Sequence, residues 1–512
     1  METNSAPTEI QFILQDATFQ KKLARISVQN NLSQAQASLE AETYLKELFT
    51  QHDTTANIGF IEAFQYMIGQ GYDKAIDINP EELKALAKLM RQGPVAFVLT
   101  HKSYIDLLVL SIVLARHGLP LPFIFAGINL DLFLVGKIAR KNGAIFIRRS
   151  FKDNPIYKAS LRHFITYLLN KQSHFMWAIE GTRSRTGKLV WPQMGILKYI
   201  MEANQDAQVK VKYVPVSVVF DLIPDVDEMT EEGRGKKKNP ENIKWLIDYW
   251  RKMGKNDLGK ISLRIGSPVA LENDQKFEIP QENSEQILEE KTISTLAFDL
   301  IHRINTITPI TTVSLVCMAL LSKFALTKRG VESNVVDLMQ LIESHKDDAL
   351  VDRGMPIGES VQVAINLLSK VGILLQTGES LHTKYTINRE KYLQATYYAN
   401  MSVHHLYHRA FIELALLKIV DVKLEERQFQ FWKEIMQLRD FFKFEFFYSS
   451  KEIFSTEIET ELTFMLINWQ EHIFERESDI LEILKQQKIL VAPVILNNYI
   501  EAYKVVDRKS VV

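Results

Sequence analysis

The segment LTHKSYIDLL, residues 99–108, holds two side chains that could together carry out acid–base chemistry. His101 follows an apolar run, and Asp106 stands five positions later. A neutral imidazole can take a proton from a hydroxyl, and a carboxylate on its other nitrogen fixes the tautomer and stabilises the imidazolium. Five residues are about 500° of helical rotation, so the pair can meet if His101 lies in a loop and Asp106 in the first turn of the next helix.

The same spacing has a purely structural interpretation. Ser103 fits as the N-cap of that helix, and Asp106 would then occupy its third position, as in a capping box. His101 would be a loop histidine with satisfied hydrogen bonds. These residues alone leave both interpretations open.

Two arginine clusters follow other β-prone runs. Arg148 and Arg149 come after GAIFI, and neighbouring side chains at a strand end point to opposite sides, so one of them can face a cleft. The segment EGTRSRTGK, residues 180–188, presents Arg183 and Arg185 two positions apart. Both planar guanidinium groups could bind a single anion such as phosphate.

The glycines of this segment do not form a Walker A loop. Five residues instead of four separate Gly181 from Gly187-Lys188, and Leu189 stands where Ser or Thr is required. The pattern therefore excludes this nucleotide-triphosphate site. What remains is a glycine turn that carries two arginines.

The charge distribution favours an anionic substrate. The whole chain of 512 residues has a net charge of −1, which gives no general reason to expect a nucleic-acid partner. Between Lys137 and Lys188, however, twelve Lys and Arg residues face only two acids, Asp153 and Glu180. A nucleic-acid groove would add exposed aromatic side chains along this basic stretch, and none can be identified.

Short β-prone runs alternate with amphipathic helical stretches, which predicts an α/β fold with a mostly parallel sheet flanked by helices. The predicted strands are 95–100, 122–127, 143–149, 174–180, 211–220 and 260–266. Pro215 in VPVSVVFD implies an edge position or a local break in its strand. In open α/β sheets, sites form at the carboxyl ends of strands, where all the clusters above are expected to lie.

Three regions follow from this pattern. Residues 1–80 are predicted to be a helical N-terminal segment, and 81–280 to form the α/β domain. Residues 281–512 are predicted to be mainly helical. Within them, 331–390 contain a helix followed by a hairpin, which is typical of a winged helix, but no dense Lys/Arg stripe accompanies it.

The chain lacks the signature of a signal peptide and of a spanning helix. Its most apolar stretch, VSLVCMALLSKFAL at 313–326, is short, contains Lys323, and is expected to be a buried helix. The single cysteine, Cys317, is expected to be a buried free thiol. The protein is therefore expected not to cross a membrane, although it could lie on one.

A histidine base, a carboxylate and several arginines suit transfer of an acyl group to a hydroxyl of a phosphorylated molecule. Such base catalysis typically contributes about 10²- to 10⁴-fold to the rate. The chain has no G-x-S-x-G elbow and no cysteine near these residues. The substrate hydroxyl is therefore expected to attack directly, without an acyl-enzyme.

The ordered motifs HKSYID, GAIFIRR, EGTRSR and VPVSVVF resemble those of the glycerophospholipid acyltransferase superfamily. The chain is most similar to glycerol-3-phosphate and dihydroxyacetone-phosphate acyltransferases, also in EEGRGKKKNPENI, LGKISLRIGSPV, INTITPITTVSLV and YYANMSVHH. The resemblance covers roughly residues 80–420. This chain carries Thr182 at a position where the large glycerol-3-phosphate enzymes usually have glycine. In this respect it is more similar to the dihydroxyacetone-phosphate and lysophosphatidate enzymes.

The resemblance implies a role for each motif residue. His101 would be the catalytic base and Asp106 its partner, and Pro215 would shape the acyl-donor pocket. The acceptor phosphate would be bound by residues of the second and third motifs: Arg148, Arg149, Glu180, Gly181, Arg183, Ser184 and, from the same segment, Arg185.

The resemblance also implies the reaction and its setting. The donor would be acyl-CoA or acyl-carrier protein, the acceptor the sn-1 hydroxyl of glycerol-3-phosphate, and the product lysophosphatidate for phospholipid biosynthesis. No metal or other cofactor would be required, and no nucleic acid would be bound. The enzyme would lie on the cytoplasmic face of a membrane.

Other functions remain as alternatives. Dihydroxyacetone phosphate or lysophosphatidate could be the acceptor. A non-enzymatic protein could bind nucleic acid through the segment 331–390. A metal protein could use His404 and His408, four positions apart on an expected helix, although no convincing third ligand accompanies them.

Overall fold

The computed structural model describes residues 8–128, 133–148, 154–239, 242–269, 284–323, 325–343, 355–378 and 383–510. Its central element is a seven-stranded sheet in the order β1-β7-β6-β2-β5-β3-β4. The strands are β1 (Ile76–Ile78), β2 (Val95–Leu99), β3 (Phe123–Gly127), β4 (Ala144–Ile147), β5 (Phe175–Ala178), β6 (Lys212–Phe220) and β7 (Ile261–Ile265). Within the sheet, β6, β2, β5, β3 and β4 are parallel, whereas β7 is antiparallel to β6.

This architecture confirms the predicted α/β fold with a mostly parallel sheet flanked by helices. All six predicted strands form, while β1 lies in the N-terminal segment that was predicted to be helical, so the prediction missed it. Three residues are too short a run to show a period, and β1 is stabilised by pairing in parallel with the distant strand β7.

The helices surround this sheet. They are α1 (Thr8–Gln15), α2 (Ala17–Gln29), α3 (Gln34–Leu48), α4 (Thr54–Ile68), α5 (Pro80–Met90), α6 (Asp106–Arg116), α7 (Phe133–Lys141), α8 (Pro155–Asn170), α9 (Met194–Ala207), α10 (Val226–Gly233), α11 (Ile243–Lys255), α12 (Ser284–Ile307), α13 (Thr312–Ser322), α14 (Lys328–Glu343), α15 (Ile357–Lys370), α16 (Tyr392–Asn400), α17 (Tyr407–Lys418), α18 (Leu424–Phe441), α19 (Lys451–Met465), α20 (Ile480–Lys485), α21 (Ala492–Ile495) and α22 (Asn497–Ser510).

The sheet is buried on both faces, as the continuous apolar sequence of β2 predicts. Val95, Phe97 and Leu99 join a core with α6, α11 and the C-terminal helices, whereas Ala96 and Val98 join a second core with α2, α3, α8 and α9. The period of two along a strand therefore divides the protein into two apolar layers. This firm anchorage holds the carboxyl end of β2 in place.

The C-terminal region is mainly helical, as predicted. A second sheet, in the order β8-β10-β9, consists of β8 (Leu326–Thr327), β9 (Leu374–Thr377) and β10 (Lys384–Ile387). The antiparallel pair β9–β10 after α15 is the predicted helix and hairpin. The predicted buried helix at 313–326 is α13, and it contains Cys317 as a buried free thiol.

Pro215 corrects one prediction. Strand β6 lies between β2 and β7, so Pro215 occupies an interior strand and not an edge. The expected local break is present, because the regular pairing of β6 with β7 ends at Val216 and Ile265. Past this point the N–H of Gly266 donates to the carbonyl of Pro215, and Tyr213 and Val269 then bond each other as an isolated bridge. The nitrogen of Pro215, which has no hydrogen to donate, faces this interruption on the β7 side of the strand. The N–H of Tyr213, two residues earlier, points the same way and donates to the carbonyl of Val269.

No helix in the part of the chain that the structure describes is both long and apolar enough to cross a membrane.

Candidate active site

His101 and Asp106 meet in the turn between β2 and α6. The Nδ1 atom of His101 lies 3.2 Å from Oδ2 of Asp106. The Asp106 side chain is fully buried, while the His101 side chain is 23% exposed. The same Oδ2 accepts the backbone N–H groups of Lys102 at 2.7 Å and Ser103 at 2.9 Å. One carboxylate therefore holds both the imidazole ring and the backbone of the turn that carries it.

The capping-box interpretation of this turn is half correct. Asp106 accepts the N–H of Ser103, as a capping box requires, but the reciprocal bond is missing. Helix α6 begins only at Asp106, and Ile105 precedes it without a side-chain cap. The hydroxyl of Ser103 instead lies 3.1 Å from the hydroxyl of Tyr249 on α11. Ser103 was therefore wrongly predicted as the N-cap.

The segment 180–188 holds the backbone of His101 from the neighbouring strand. Because β2 and β5 are parallel and pair Leu99 with Ala178, His101 and Glu180 leave the sheet side by side. Oε2 of Glu180 accepts the His101 N–H at 2.5 Å, and the N–H of Ser184 donates to the His101 carbonyl at 2.8 Å. Two residues predicted to bind phosphate therefore contact the backbone of the histidine.

Glu180 is buried and joins two segments. Its Oε1 accepts the N–H of Val190 at 2.8 Å, so the carboxylate spans the start and the end of the loop. Gly181 adopts a φ of +64°, and a Cβ there would lie 2.8 Å from Cγ of Gln193. A side chain at Gly181 would thus be both strained and obstructed.

Lys102 is a buried cation that the motif reading missed. It lies in the field of two carboxylates, Glu180 and Asp106. Burial lowers the pKa of Lys102, and the charges of Glu180 and Asp106 oppose this shift. Burial raises the pKa of Glu180, while the amides of Val190 and His101 and the charge of Lys102 oppose this shift and favour the carboxylate. The position of Lys102 directly after His101 was the sequence signal that could have identified it as part of the site.

Arg183 and Arg185 are paired with carboxylates near and on α10. The buried Arg183 donates to Asp225, and its guanidinium carbon lies 3.9 Å from the ring centre of Tyr104. Arg185 is 25% exposed and lies 2.6 Å from Glu232. Burial raises the pKa of Asp225 to about 6, and the charge of Arg183 opposes this shift. These partners were not predicted, because acids in a helix far along the chain give no local signal.

Arg148 lies at the end of β4, two strands away from β5. It donates to Glu47 from Nε at 2.8 Å and from Nη2 at 2.5 Å, and its guanidinium lies over the rings of Tyr44 and Tyr157. The structure thus places Arg148 against helix α3 and not beside His101. Arg149 lies outside the described residues.

The predicted excess of positive charge is partly compensated in space, since five of the twelve cations are paired with carboxylates. Carboxylates from other segments pair with several of the twelve cations between 137 and 188: Arg148–Glu47, Arg162–Asp206, Arg183–Asp225, Arg185–Glu232 and Lys188–Glu445. The linear count therefore overstated the positive charge available to a substrate.

The C-terminal region contacts the far end of the segment 180–188. Nδ2 of Asn400 donates to the carbonyl of Thr186 at 2.9 Å, and Lys188 is paired with Glu445. A Cβ on Gly187 would lie only 2.0 Å from the carbonyl oxygen of Tyr397. Helix α16 and the segment around 445 thus support the loop that supports His101.

Pro215 pairs in register with Val98, three residues before His101. It is buried inside the sheet, so an influence on the acyl donor would act through the shape of the strand end.

His404 and His408 were wrongly predicted to share one helix. His404 lies in a 3₁₀ turn, Val403–His405, whereas His408 lies in α17 with Nε2 3.3 Å from Glu457. Among the described residues, no group of three or more His, Cys, Asp or Glu is placed to hold a metal ion.

Comparison with known proteins links these features to two family models. A model described as the C-terminal region of glycerol-3-phosphate acyltransferase matches residues 229–508, and one described as acyltransferase matches residues 78–219. Together they cover the histidine turn, the loop 180–188 and the helices that support it.

Individual relatives extend over most of the chain. The plsB1 protein of Mycobacterium tuberculosis, named as a candidate acyltransferase, is 28% identical over 504 residues, 98% of this chain and 80% of that protein. The glycerol-3-phosphate acyltransferase of Haemophilus influenzae is 28% identical over 407 residues, 77% of this chain and 49% of that protein. The solved 1-acyl-sn-glycerophosphate acyltransferase PlsC of Thermotoga maritima is 14% identical, covers 57% of this chain and 96% of that chain, and has a TM-score of 0.26.

Proposed function

We propose, from the premise that this chain belongs to the glycerol-3-phosphate acyltransferase family and is an O-acyltransferase, that it makes lysophosphatidate for phospholipid biosynthesis. The acyl group passes from acyl-CoA or acyl-carrier protein to the sn-1 hydroxyl of glycerol-3-phosphate. The acceptor is supported by the names of the matching family model and of the Haemophilus relative.

The observation that carries the proposal is the contact of 3.2 Å between His101 Nδ1 and the fully buried Asp106. With its proton on Nδ1 and donated to Asp106, the ring presents an unprotonated Nε2 to the acceptor hydroxyl. Asp106 stabilises the imidazolium that forms. Glu180 and Ser184 hold the backbone of His101, so the ring approaches the substrate from a rigid support.

The reaction then needs no covalent enzyme intermediate. Nε2 takes the hydroxyl proton while the hydroxyl oxygen attacks the thioester carbonyl and forms a C–O bond. The tetrahedral intermediate collapses with cleavage of the C–S bond, and the imidazolium returns its proton to the leaving thiolate. The products are the ester and a free thiol, and His101 is neutral again.

For the acceptor phosphate, we propose Arg185 as the direct contact among the two arginines of the third motif. Its side chain is partly exposed, whereas Arg183 is buried between Asp225 and Tyr104. A phosphate oxygen would then replace Glu232 as the partner of Arg185, a substitution that a guanidinium accommodates with its several N–H groups. Arg183 holds Tyr104 and the loop in position.

Thr182 bears on the choice of acceptor. Its hydroxyl accepts a hydrogen bond from Nη1 of Arg185 at 2.8 Å, which a glycine could not do. The residue at this position therefore orients the proposed phosphate contact. Because Thr182 is also typical of the dihydroxyacetone-phosphate and lysophosphatidate enzymes, these two molecules remain alternative acceptors to be tested.

The test supplies one acyl-CoA with glycerol-3-phosphate, dihydroxyacetone phosphate or lysophosphatidate in turn. We expect the highest kcat/KM with glycerol-3-phosphate and a fall of about 10²- to 10⁴-fold in kcat for His101→Ala. A preference for another acceptor would replace the proposed substrate. Undiminished transfer by His101→Ala would refute the mechanism. The same assay with acyl-carrier protein identifies the donor.

A further inference from the structure

We propose that helices α4 and α11, with the basic loop at 234–238, form the surface by which this protein docks on a membrane that carries anionic headgroups. This set of elements is called the α4/α11 surface below. The inference rests on the proposed function only in that the product of that reaction is a membrane lipid. The surface itself is argued from exposure, packing and charge.

The first observation is the exposure of large apolar side chains. Ile243 and Ile247 on α11 are 47% and 50% exposed, and Ile58 and Tyr66 on α4 are 57% and 70% exposed. Ile243 and Ile247 are four residues apart and lie on one face of α11, while Tyr249 and Met253 are buried on the other. Single exposed apolar residues are ordinary, but a group on two neighbouring helices indicates a binding surface.

The packing brings the two helices together. The rings of Phe64 and Trp250 are 5.2 Å apart, and a Cβ on Gly71 would lie 2.4 Å from the carbonyl oxygen of Met253. Phe64 and Trp250 lie in the C-terminal halves of α4 and α11, and Gly71, three residues after the end of α4, meets Met253 near the end of α11, so the C-terminal ends of the two helices adjoin. Their exposed isoleucines therefore lie toward the same, N-terminal end of the pair.

The second observation is a concentration of positive charge around these side chains. Between 234 and 255 the chain has eight Lys and Arg residues against Glu241 and Asp248, and of the two acids directly before this stretch Glu231 is paired with Lys236 and Glu232 with Arg185. Lys236 and Arg251 are more than half exposed, and each is paired at the surface with an acid, Lys236 with Glu231 and Arg251 with Asp248. Exposed pairs of this kind are weak and can be exchanged for a lipid phosphate. Each cation close to an anionic lipid surface strengthens binding about fivefold. A basic amphipathic helix with tryptophan at its boundary suits the interface of a bilayer.

The third observation is the distance to the histidine turn. Tyr104, which lies between His101 and Asp106, packs against Trp245 with ring centres 4.5 Å apart. The ammonium of Lys238 lies 5.9 Å from the ring centre of the same tyrosine. A membrane bound to the α4/α11 surface would therefore lie next to the proposed site, where lipid product is released.

An acidic acyl-carrier protein is the competing partner for a basic patch. It would account for the lysines of the loop, but exposed isoleucines on two helices favour insertion into lipid. The inference therefore commits to the membrane, and the carrier protein becomes an outcome of the test.

The test is co-sedimentation of the full chain with vesicles of phosphatidylcholine alone or mixed with phosphatidylglycerol. We expect the wild type to bind the anionic vesicles. Ile243→Ser/Ile247→Ser should weaken this binding about tenfold or more, through lost apolar burial. Lys236→Ser/Lys237→Ser/Lys238→Ser should weaken it about 100-fold, and only where phosphatidylglycerol is present.

The matched control is Ile453→Ser/Ile467→Ser, which changes two isoleucines that are 57% and 80% exposed in the C-terminal region. This control should bind as the wild type does. If the Ile243/Ile247 variant also binds vesicles like the wild type, the proposal is wrong. Loss of binding to an acidic acyl-carrier protein in the lysine variant, with vesicle binding unchanged, would overturn it in favour of that partner.

Activity is measured separately with a water-soluble short-chain acyl-CoA and no vesicles. The Ile243/Ile247 variant should then keep the wild-type kcat, since both side chains are about half exposed on α11 and neither belongs to the histidine turn. If the wild type itself transfers no acyl group, the proposed function fails while the vesicle result still decides the docking surface.

Discussion

The backbone N–H of Ser184 donates a hydrogen bond to the carbonyl of His101 at 2.8 Å, which joins two motifs that lie far apart in the sequence. Inside the loop, Oγ of Ser184 accepts the N–H of Gly187 at 3.0 Å and donates to the carbonyl of Lys188 at 2.6 Å. Residues 186–188 are in turn bound by the C-terminal region. A continuous set of contacts therefore runs from the C-terminal helices to the histidine.

Glu180→Gln tests whether Glu180 supports His101 or binds the acceptor. The amide has one acceptor oxygen for two backbone N–H groups, so either His101 or Val190 loses its bond. An unsatisfied buried N–H lowers the stability by about 1–3 kcal/mol. The loosened backbone of His101 should also lower kcat by about ten- to a hundredfold, with little change in the acceptor KM. Steady-state kinetics with varied glycerol-3-phosphate measure both constants.

The control for Glu180 is Glu202→Gln, which alters a partner of Arg162 on α9 away from the histidine turn. It should leave kcat unchanged. A large rise in acceptor KM at constant kcat in Glu180→Gln would instead assign the carboxylate to substrate binding.

Lys188 and Glu445 should act as one unit in both stability and activity. Lys188→Met and Glu445→Gln each leave a mostly buried partner without its opposite charge, and each is expected to lower the stability by about 1–3 kcal/mol. The double variant should lose less stability than the sum of the two single variants, because replacing both side chains leaves no unpaired charge. Thermal melting and kcat are measured for all four proteins.

The exposed pair Lys236–Glu231 provides the comparison. Its double-variant cycle should give no measurable coupling, since solvent screens exposed charges. Strictly additive effects at Lys188 and Glu445 would show that the two residues act independently of each other.

Gly187→Ala should be far more destabilising than Gly118→Ala. Both glycines have positive φ angles, so each alanine carries a backbone penalty of about 1 kcal/mol. At Gly187 the new Cβ would also meet the carbonyl of Tyr397 at 2.0 Å, whereas at Gly118 nothing lies within 4 Å. The melting temperature of Gly187→Ala should fall much further, and its kcat should fall with it. Equal melting temperatures would contradict the close packing of the loop against α16.

His174 should make stability depend on pH. Burial lowers its pKa from 6.5 to about 4, and its Nδ1 accepts the N–H of Val95 at 3.1 Å. Below about pH 6.5 the unfolded chain takes up a proton that the folded protein does not bind until about pH 4. Stability therefore falls as the pH falls through this range, by about 3 kcal/mol, and this contribution does not change above it.

His174→Asn tests this linkage, because the amide oxygen can still accept the Val95 N–H but does not titrate. Denaturation midpoints between pH 4 and 7 should depend less on pH in this variant. The exposed His117, changed to Asn, should keep the wild-type dependence. An unaltered pH profile in His174→Asn would exclude His174 as the titrating group.

The secondary structure near the site was largely predictable, while its contacts were not. The apolar runs that became β2, β5 and β6 were evident because a buried strand is a local pattern. The roles of Glu180 and Ser184 were not evident, because both residue types equally suit a phosphate. Only the parallel pairing of β2 with β5 shows that they reach the backbone of His101.

The α/β fold class, the six strands and the chemical groups available at their ends could be predicted before folding was considered, because they depend on residue type and short-range periodicity. Only the folded chain shows that Arg148 binds Glu47, that Lys188 binds Glu445, and that five of the twelve cations in the positive stretch are paired with carboxylates. The physical reason is that the energy of a charge depends on its distance and burial in space. Separation along the chain specifies neither.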